Sequence, residues 1–342
     1  MDQRNYARID TLTAVILQGG LIEAEDGLWL LSLHNDYLPW LMAGADRIRK
    51  TFRGQQIEVC AIANVRSGNC SENCRFCAQS GHYKTAAKPY NYIPAETLAE
   101  QAKTARAWGA SDFGVVSKGW GVRTDKERKQ LADYFQTMDQ QSDIGRCASL
   151  GVLTKQSAME LKAMGLENYH HNLETAASFF DHICTTHTYQ ENIDTIRHAV
   201  DAGLRVCAGG ILGMGESHAQ RIELAMTLRE LGVDSVPLNF LNPVAGTPMG
   251  EREPMKALDI LHNIAVYRYM LPRAEIRIAG GRQFLGDMQA MIFMAGASGV
   301  MIGDYLTTKG RQVEDDLAMI KDLNLQIRGD TQQRRAGDKL AS

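Results

Sequence analysis

The chain has 342 residues, of which 44% are hydrophobic and 23% are charged, and its formal net charge is -3 at pH 7. This is a globular composition, and the balanced charge gives no basic surface for nucleic acid or for a membrane. The N-terminus lacks the apolar run of a secretory signal, and no segment reaches the roughly 18 apolar residues of a membrane span. We therefore expect a cytoplasmic protein that acts on small molecules.

Residues 1–55 are rich in helix-forming residues and predict a helical cap before the first strand. From residue 56 onward one arrangement recurs, in which an amphipathic helix is followed by a glycine and a short apolar run. The glycine supplies the left-handed conformation that ends a helix, and the apolar run indicates a buried strand. The predicted strands lie near Glu58–Asn64, Asp112–Val116, Gly145–Leu150, Asn168–Asn172, Leu204–Gly209, Ser235–Asn239, Glu275–Ile278 and Val300–Gly303.

Eight strands that alternate with helices over roughly 270 residues predict an α/β fold, a closed (βα)8 barrel of the TIM type. An open doubly wound sheet is the alternative. In both folds the carboxyl ends of the strands form the catalytic edge. The sequence thus predicts a helical cap at 1–55, a barrel at 56–328 and a polar tail at 329–342, which we expect to be disordered.

The stretch GNCSENCRFCAQS places Cys70, Cys74 and Cys77 directly after the first predicted strand. Seven cysteines in a chain without an export signal favour metal or redox chemistry over a disulfide framework. A structural zinc site usually needs four protein ligands, and only His82 is available nearby in the sequence as a fourth. Three thiolates on a 4Fe-4S cluster instead leave one iron open to another ligand. The spacing therefore favours an iron-sulfur cluster.

This spacing, with an aromatic residue before the third cysteine, is similar to the signature of the radical S-adenosylmethionine superfamily. The resemblance implies that the open iron chelates S-adenosylmethionine and that the aromatic side chain lies against its adenine. The stretch GGILGMGE matches the superfamily's G-x-I-x-G-x-x-E pattern, and HHNLET offers polar residues for ribose hydroxyls; a tight turn and a solvated loop are the alternatives. The implied S-adenosylmethionine-binding residues are Phe76, Asn172, Glu174, Gly209, Gly210 and Ile211.

The four remaining cysteines distinguish among radical enzymes. Cys60, Cys147 and Cys207 lie in the first, third and fifth predicted strands, and Cys184 follows the fourth. A single buried cysteine is usually a small hydrophobic residue, but together the four predict a second metal site inside the barrel. Cys60 lies about five residues before the end of its strand, which at roughly 3.3 Å per residue is about 17 Å from the edge where the first cluster would be.

This combination resembles the biotin synthase family, and the likeness runs through CSENCRFCAQSGHYKT, YHHNLET, TTHTYQENIDTI, RVCAGGILGMGE, SVPLNFLNPVAGTP and IRIAGGR. The resemblance implies insertion of sulfur into dethiobiotin, with one 5'-deoxyadenosyl radical spent for each C–H bond broken and the sulfur drawn from an auxiliary iron-sulfur cluster. It also implies that Asn172 and Asn239 contact dethiobiotin. A homodimer reduced by flavodoxin or ferredoxin is a further implication.

One ligand position departs from the pattern of that family. Its best-known members hold a 2Fe-2S auxiliary cluster with cysteines on strands two, three and five and an arginine on strand seven. Three of these positions match, but the strand-two position is Gly114, and glycine cannot bind iron. Cys60 on the neighbouring strand is the predicted replacement, and the surplus of thiols supports the hypothesis of a larger four-iron cluster with an extra, transferable sulfide. The predicted auxiliary ligands are Cys60, Cys147, Cys207, Cys184 and Arg277.

Two other classes of function share part of this pattern. Other barrel enzymes of the superfamily, such as those that make methylornithine or mature the iron hydrogenase, have the cysteine triad and the glycine stretch. They do not require cysteines within the strands together with Arg277, whose charge inside a barrel demands an anionic partner or a cluster. A non-catalytic electron carrier with two clusters is the second class, and the predicted barrel with its ligand-holding loops argues against it.

Overall fold

The structure is a computed structural model that describes residues 2–328. Eight parallel strands close into a barrel, because the first strand pairs with the second on one side and with the last on the other. This confirms the predicted (βα)8 fold and excludes the open sheet. The polar tail predicted at 329–342 lies outside the described residues, and the division into cap, barrel and tail stays a prediction.

The barrel strands match the predicted ones closely, with two short strands added. Short β6 pairs with β7 just after β5, and short β10 pairs with the start of β1. The strands are β1 Gln56–Arg66, β2 Asp112–Ser117, β3 Gly145–Ser149, β4 Asn168–His170, β5 Arg205–Cys207, β6 Gly210–Leu212, β7 Ser235–Phe240, β8 Glu275–Ile278, β9 Gly299–Met301 and β10 Gln326–Ile327.

Helices precede the barrel and connect its strands. They are α1 Gln3–Leu17, α2 Ala24–Ser32, α3 Leu38–Arg53, α4 Ala95–Ala107, α5 Asp125–Gln141, α6 Lys155–Ala163, α7 Tyr189–Asp201, α8 His218–Glu230, α9 Ala257–Met270, α10 Met291–Met294 and α11 Val313–Asp322. Four of the connecting helices begin with a capping box, at Thr124, Thr154, Thr188 and Ser217. Each such cap contributes about 1 kcal/mol and fixes where the loop from the preceding strand ends.

The predicted fifth strand, Leu204–Gly209, ends early in the structure, at Cys207, and β6 begins just beyond the predicted end, at Gly210. Cys207 pairs with Ser235, and Gly210 pairs with Leu238, so the register is the same on both sides of the gap. Opposite the gap β7 carries Pro237, which has no N–H group to donate to a neighbouring strand. The ladder therefore breaks at this point without a change of register.

The three N-terminal helices pack against the outside of the barrel through its helical layer. Gly44 of α3 lies so close to α9 that a Cβ atom there would be 1.9 Å from the Tyr269 hydroxyl. That hydroxyl is also 2.7 Å from Thr13 Oγ1 of α1, so one buried contact joins α1, α3 and α9. None of the helices within residues 2–328 is both long enough and apolar enough to cross a membrane.

Candidate active site

A cavity of about 360 Å³ runs through the barrel interior toward the carboxyl ends of the strands. Phe76 and Cys77 line it near that edge, which we call the rim. Cys60 and Arg277, which lie in the strands themselves, line it at the opposite end, which we call the floor. One continuous space thus connects the two groups of cysteines that the sequence predicts to bind metal.

The loop after β1 carries Cys70, Cys74 and Cys77, which we call the rim triad; all three are free thiols and half-buried. The backbone N–H of Cys70 donates to Gln79 O at 2.8 Å, and the N–H of Cys77 donates to Cys74 O at 3.0 Å. These bonds fold the segment into a compact turn that brings the three cysteines to the rim. Burial raises the pKa of Cys77 to about 11, so its thiol needs a cation to become a thiolate at neutral pH.

The predicted zinc alternative requires a fourth ligand at the rim triad. His82 does not fill that role in the structure, because its Nε2 atom lies 2.9 Å from the carbonyl oxygen of Ser71 and its side chain is exposed. The one nearby histidine that the sequence offered is therefore engaged elsewhere.

The side chains predicted to bind S-adenosylmethionine lie around the upper cavity. Phe76 and Ile211 both line it and pack against a small apolar cluster that includes Met214 and Leu241. Glu174 also lines it and adopts a left-handed backbone conformation, with φ of 65°. Burial raises the pKa of Glu174 to about 7.

The glycines of the GGILGMGE stretch have a structural reason that the sequence did not show. A Cβ atom at Gly209 would lie 2.0 Å from Pro237 O, and one at Gly210 would lie 2.7 Å from Glu174 O. Both glycines therefore allow close packing against neighbouring backbone, and within residues 2–328 neither lines the cavity. Glu216, the last residue of the motif, holds the turn by accepting hydrogen bonds from the N–H groups of Gly213 and Met214, both at 2.8 Å.

Asn172 and Asn239, the predicted substrate contacts, both line the cavity and both hold backbone in place. Asn172 Oδ1 accepts from the N–H of Gly209 at 3.2 Å. Asn239 Oδ1 accepts from the N–H of Gly280 at 2.9 Å, and its Nδ2 donates to Gly210 O at 3.3 Å. These bonds set the orientation of both amides toward the cavity.

Cys60, Cys147 and Cys207, which we call the inner thiols, line the lower cavity together. In the strand register Cys60 pairs with Asp112 of β2, and Cys147 pairs with Gly114 of the same strand, so the two cysteines flank β2. Burial raises the pKa of all three inner thiols, that of Cys60 to about 12. Thiols buried in this way become thiolates only when a metal ion compensates the charge.

Gly114 occupies the strand-two position where the resemblance implied a cysteine, and its surroundings explain what fills that space. A Cβ atom at Gly114 would lie 2.9 Å from Cγ2 of Ile62, the residue paired with it on β1. The side chain of Ile62 therefore takes the room that a cysteine on β2 would use. Cys60 lies on the same strand two residues earlier and so points to the same face.

Arg277 is buried, with 9% of its surface exposed, as its predicted role requires. Its Nη2 atom lies 2.5 Å from Glu275 Oε1 and 3.5 Å from Glu58 Oε2, so two carboxyls face its charge. Glu58 also pairs with Arg53 at 3.1 Å and with Arg328. Within the described residues Arg277 Nε has no hydrogen-bond partner, and it remains available to a group bound in the cavity.

His170 also lines the cavity, although its sequence context predicts no role for it. Its strand position pairs with Cys207, and its Nδ1 atom lies 3.4 Å from Cys207 Sγ. Burial lowers the pKa of His170 to about 4, so the ring is neutral at pH 7. The alternation of side chains along a strand could have predicted that His170, Glu58 and Glu275 face the cavity. Each lies two residues before a predicted site residue and so points to the same face of its strand.

The structure corrects the prediction for Cys184. This residue was expected to add a thiolate to the inner site, but its Sγ atom lies 3.8 Å from Cys74 Sγ of the rim triad. Among residues 2–328 it is not one of those lining the cavity. The segment after Cys184 folds back onto the cysteine loop, where Thr185 N–H donates to Asn73 Oδ1 at 2.9 Å. The rim therefore has a fourth thiol that the sequence order did not reveal.

Cys184 belongs to a buried polar group at the rim. His187 Nδ1 lies 3.3 Å from Cys184 Sγ and 2.8 Å from Glu72 Oε2. The hydrogen bond from Cys74, together with those from His187 and Thr186, lowers the pKa of Cys184 to about 3. Burial opposes protonation of His187, but its hydrogen bonds to Cys184 and Glu72 raise its pKa to about 9.

Comparison with known families agrees with this geometry. Residues 64–228 match the family described as Radical SAM superfamily, and residues 237–326 match the Biotin and Thiamin Synthesis associated domain. The first match contains the rim triad, Asn172, Cys147 and Cys207, and the second contains Asn239 and Arg277.

Solved structures with the same architecture are more distant in sequence. Methylornithine synthase superposes with a TM-score of 0.82 at 17% identity, covering 95% of this chain and 99% of that one. The FeFe-hydrogenase maturase HydG from Carboxydothermus hydrogenoformans gives a TM-score of 0.76 at 14% identity, covering 94% and 80%. At such identities the likeness establishes the fold alone.

Sequence relatives distinguish among the enzymes that share this fold. A biotin synthase from Syntrophotalea carbinolica is 47% identical over 311 residues, covering 91% of this chain and 95% of the relative. One from Trichlorobacter lovleyi is 48% identical over 320 residues, covering 93% and 96%. Identity of this extent, over nearly the full length of both chains, argues against both alternatives: the enzymes that make methylornithine or mature the hydrogenase, and a non-catalytic electron carrier. The chain belongs to the biotin synthase family.

Proposed function

We propose that the rim triad holds the 4Fe-4S cluster that binds S-adenosylmethionine, and that the inner thiols hold the auxiliary cluster that supplies sulfur to dethiobiotin. The observation that carries this division of roles is one continuous cavity, lined by Cys77 of the rim triad and by all three inner thiols. A substrate held between them has one cluster on either side. The residues around the upper and middle cavity then determine which substrate carbon atoms face the radical.

The chain is a radical S-adenosylmethionine sulfurtransferase whose cofactors are a 4Fe-4S cluster, S-adenosylmethionine and an auxiliary iron-sulfur cluster. When bound, these groups supply the 5'-deoxyadenosyl radical that removes one hydrogen atom at a time and the sulfur atom that takes the place of two of them. The protein itself has no proton to transfer in hydrogen abstraction, so its tasks are to bind, to orient and to exclude water.

The cavity is suited to those tasks. Its wall contains apolar side chains such as Ile62, Val116 and Leu241, which shield a carbon radical from water and from polar hydrogen donors. Asn172 and Asn239 present amide groups whose orientation the backbone fixes, and a cyclic urea such as that of dethiobiotin offers complementary N–H and C=O groups. We propose that these two amides hold the ureido ring so that its neighbouring carbons face the radical.

The ligand set of the auxiliary cluster departs from the familiar cysteine on strand two. We propose that Cys60, Cys147 and Cys207 are its thiolate ligands and that Arg277 contacts it through the free Nε–H. The fit rests on three thiols, two buried and one (Cys147) half-buried, whose raised pKa values call for a metal, and on the buried Arg277 Nε, which has no partner within the described residues. Three thiolates without a fourth from Cys184 are compatible with either a 2Fe-2S or a four-iron cluster.

Iron and sulfide counts on anaerobically reconstituted protein test the nuclearity. A four-iron auxiliary cluster with an extra sulfide gives more than two irons beyond those of the rim cluster, with sulfide in excess of iron at the inner site. Only two irons beyond the rim cluster would refute the larger cluster. A matched Cys147→Ser variant should lose these auxiliary irons and keep those of the rim.

The activity itself is tested with purified, fully loaded protein under strict anaerobiosis. Reductant, S-adenosylmethionine and dethiobiotin should yield biotin and 5'-deoxyadenosine, and omission of dethiobiotin should abolish the substrate-dependent 5'-deoxyadenosine. We further propose flavodoxin or ferredoxin as the reductant and a homodimer as the assembled form. Chemical crosslinking with each reductant and sedimentation of the loaded protein test these two points.

A further inference from the structure

Four side chains at the rim converge on one small volume, and we call them the rim quartet: Glu72, Cys74, Cys184 and His187. The atoms that could bind a metal, Glu72 Oε2, Cys184 Sγ and His187 Nδ1, all lie within 4.8 Å of one another. Cys74 Sγ completes the set at 3.8 Å from Cys184 Sγ. Only Cys74 belongs to the rim triad, so the other three residues have no part in the reaction described above.

Two of the separations in the rim quartet, both from Cys184 Sγ, match those of ligands around a single tetrahedral ion. With metal–sulfur bonds of about 2.3 Å, two sulfur ligands of a tetrahedral site lie roughly 3.8 Å apart, and a sulfur and a nitrogen ligand roughly 3.5 Å apart. The observed separations are 3.8 Å between the two sulfur atoms and 3.3 Å between Cys184 Sγ and His187 Nδ1. Small side-chain rotations therefore suffice to place one ion between them.

The side chains of the rim quartet that lie outside the rim triad are largely shielded from solvent and are held in place by hydrogen bonds to neighbouring residues. Cys184 is 2% exposed, and the His187 and Glu72 side chains are 11% and 12% exposed. Thr186 Oγ1 donates to Glu72 Oε2 at 2.7 Å, and Ser71 Oγ donates to Glu72 Oε1 at 2.8 Å. Such outer hydrogen bonds fix the orientation of ligating side chains.

We propose that the rim quartet is a binding site for a single thiophilic divalent transition-metal ion, occupied while the rim cluster is absent. Two sulfur ligands, one nitrogen and one oxygen form the donor set typical of Zn²⁺, Co²⁺ or Fe²⁺ in tetrahedral geometry. Because Cys74 is shared, an ion in the rim quartet and the cluster on the rim triad exclude each other. The site therefore offers a first position for iron before cluster assembly, and zinc at the same position blocks assembly.

Binding of Co²⁺ to the full-length protein, prepared free of clusters under anaerobic conditions, tests the proposal. Co²⁺ bound to thiolates in a tetrahedral site gives intense charge-transfer and d–d bands in the visible and near-ultraviolet. Cys184→Ser and His187→Gln should each weaken this binding at least about tenfold, because the loss of even an outer ligand partner costs that much. His187→Cys should restore tight binding and strengthen the charge-transfer band, since a third thiolate replaces the imidazole.

Two matched controls separate the rim quartet from the other thiols. Cys77→Ser removes a rim-triad cysteine outside the rim quartet, and Cys147→Ser removes an inner thiol; both should retain the His187-dependent signal. Unchanged Co²⁺ affinity in Cys184→Ser and His187→Gln would overturn the proposal, as would loss of the signal in Cys77→Ser. Far-ultraviolet circular dichroism establishes whether each variant is folded. If His187→Gln does not fold, the Co²⁺ affinity of His187→Cys tests the proposal instead.

Discussion

Replacing Cys60 with serine tests the assignment of the inner site most directly. Cys60 is 6% exposed and lines the lower cavity, whereas Cys184, the other candidate thiol, lies at the rim. We expect Cys60→Ser to lose the auxiliary irons and to keep those of the rim cluster. Cys184→Ser should keep both sets of irons after full reconstitution, because within the described residues it does not line the cavity.

The same two variants should differ in the stability of the cluster-free protein. A serine hydroxyl at position 60 is buried without a hydrogen-bond partner of its own, which costs about 1–3 kcal/mol of unfolding free energy. At position 184 the Sγ atom lies 3.3 Å from polar atoms of Asn73, Thr186 and His187, and a hydroxyl can use the same partners. The hydroxyl cannot supply the negative charge that the lowered pKa of Cys184 gives at neutral pH, so the cost there should depend on pH, unlike that at position 60.

Iron quantified per chain, together with urea unfolding of the cluster-free forms, measures both effects. Cys60→Ser that retains the full iron content after reconstitution would refute the role of Cys60 as the replacement for the strand-two cysteine. Loss of auxiliary iron in Cys184→Ser would refute the placement of Cys184 outside the inner site. The unfolding data guard against the trivial explanation that a variant loses iron because it has lost its fold.

Three further predictions follow from single contacts. Gly209→Ala places a Cβ atom 2.0 Å from Pro237 O, so it should cost about 3 kcal/mol or more and lower the Tm by several degrees in a thermal scan. Burial lowers the pKa of His171 from 6.5 to about 4, so the folded state binds fewer protons; stability should fall by about 2 kcal/mol from pH 7 to pH 5, and urea unfolding of His171→Gln should show a correspondingly flatter pH dependence. Asn239→Ala should raise the KM for dethiobiotin roughly tenfold in steady-state assays, and an unchanged KM would remove Asn239 from the substrate site.

Regular patterns in the sequence predicted the barrel because each pattern reflects a local cause. Glycines that end helices, apolar runs that form strands and polar residues that cap helices all act within a few residues of one another. The early end of β5 was missed because its cause, Pro237, lies in another strand and acts only across the sheet. The end of a strand cannot be predicted from its own sequence when it depends on a residue of the neighbouring strand.

The sites were predictable to different degrees for a similar reason. The rim triad is contained in one short segment, so its spacing was visible in the sequence. Cys184 was misplaced because position in the chain indicated only that it follows β4, and the hydrogen bonds that return it to Asn73 connect residues more than a hundred positions apart. Arg277 was predicted with its need for an anionic partner, but the partners themselves, Glu275 and Glu58, were not identified.

Because the rim triad and the inner thiols lie at opposite ends of one cavity, two small molecules must bind in that cavity in a fixed order. Whatever is held beside Phe76 at the rim covers what is held lower down, beside the inner thiols. A small molecule destined for the lower position must enter first, and it leaves only after the one above it has gone. The same covering keeps the lower occupant away from bulk solvent for as long as the upper one remains bound.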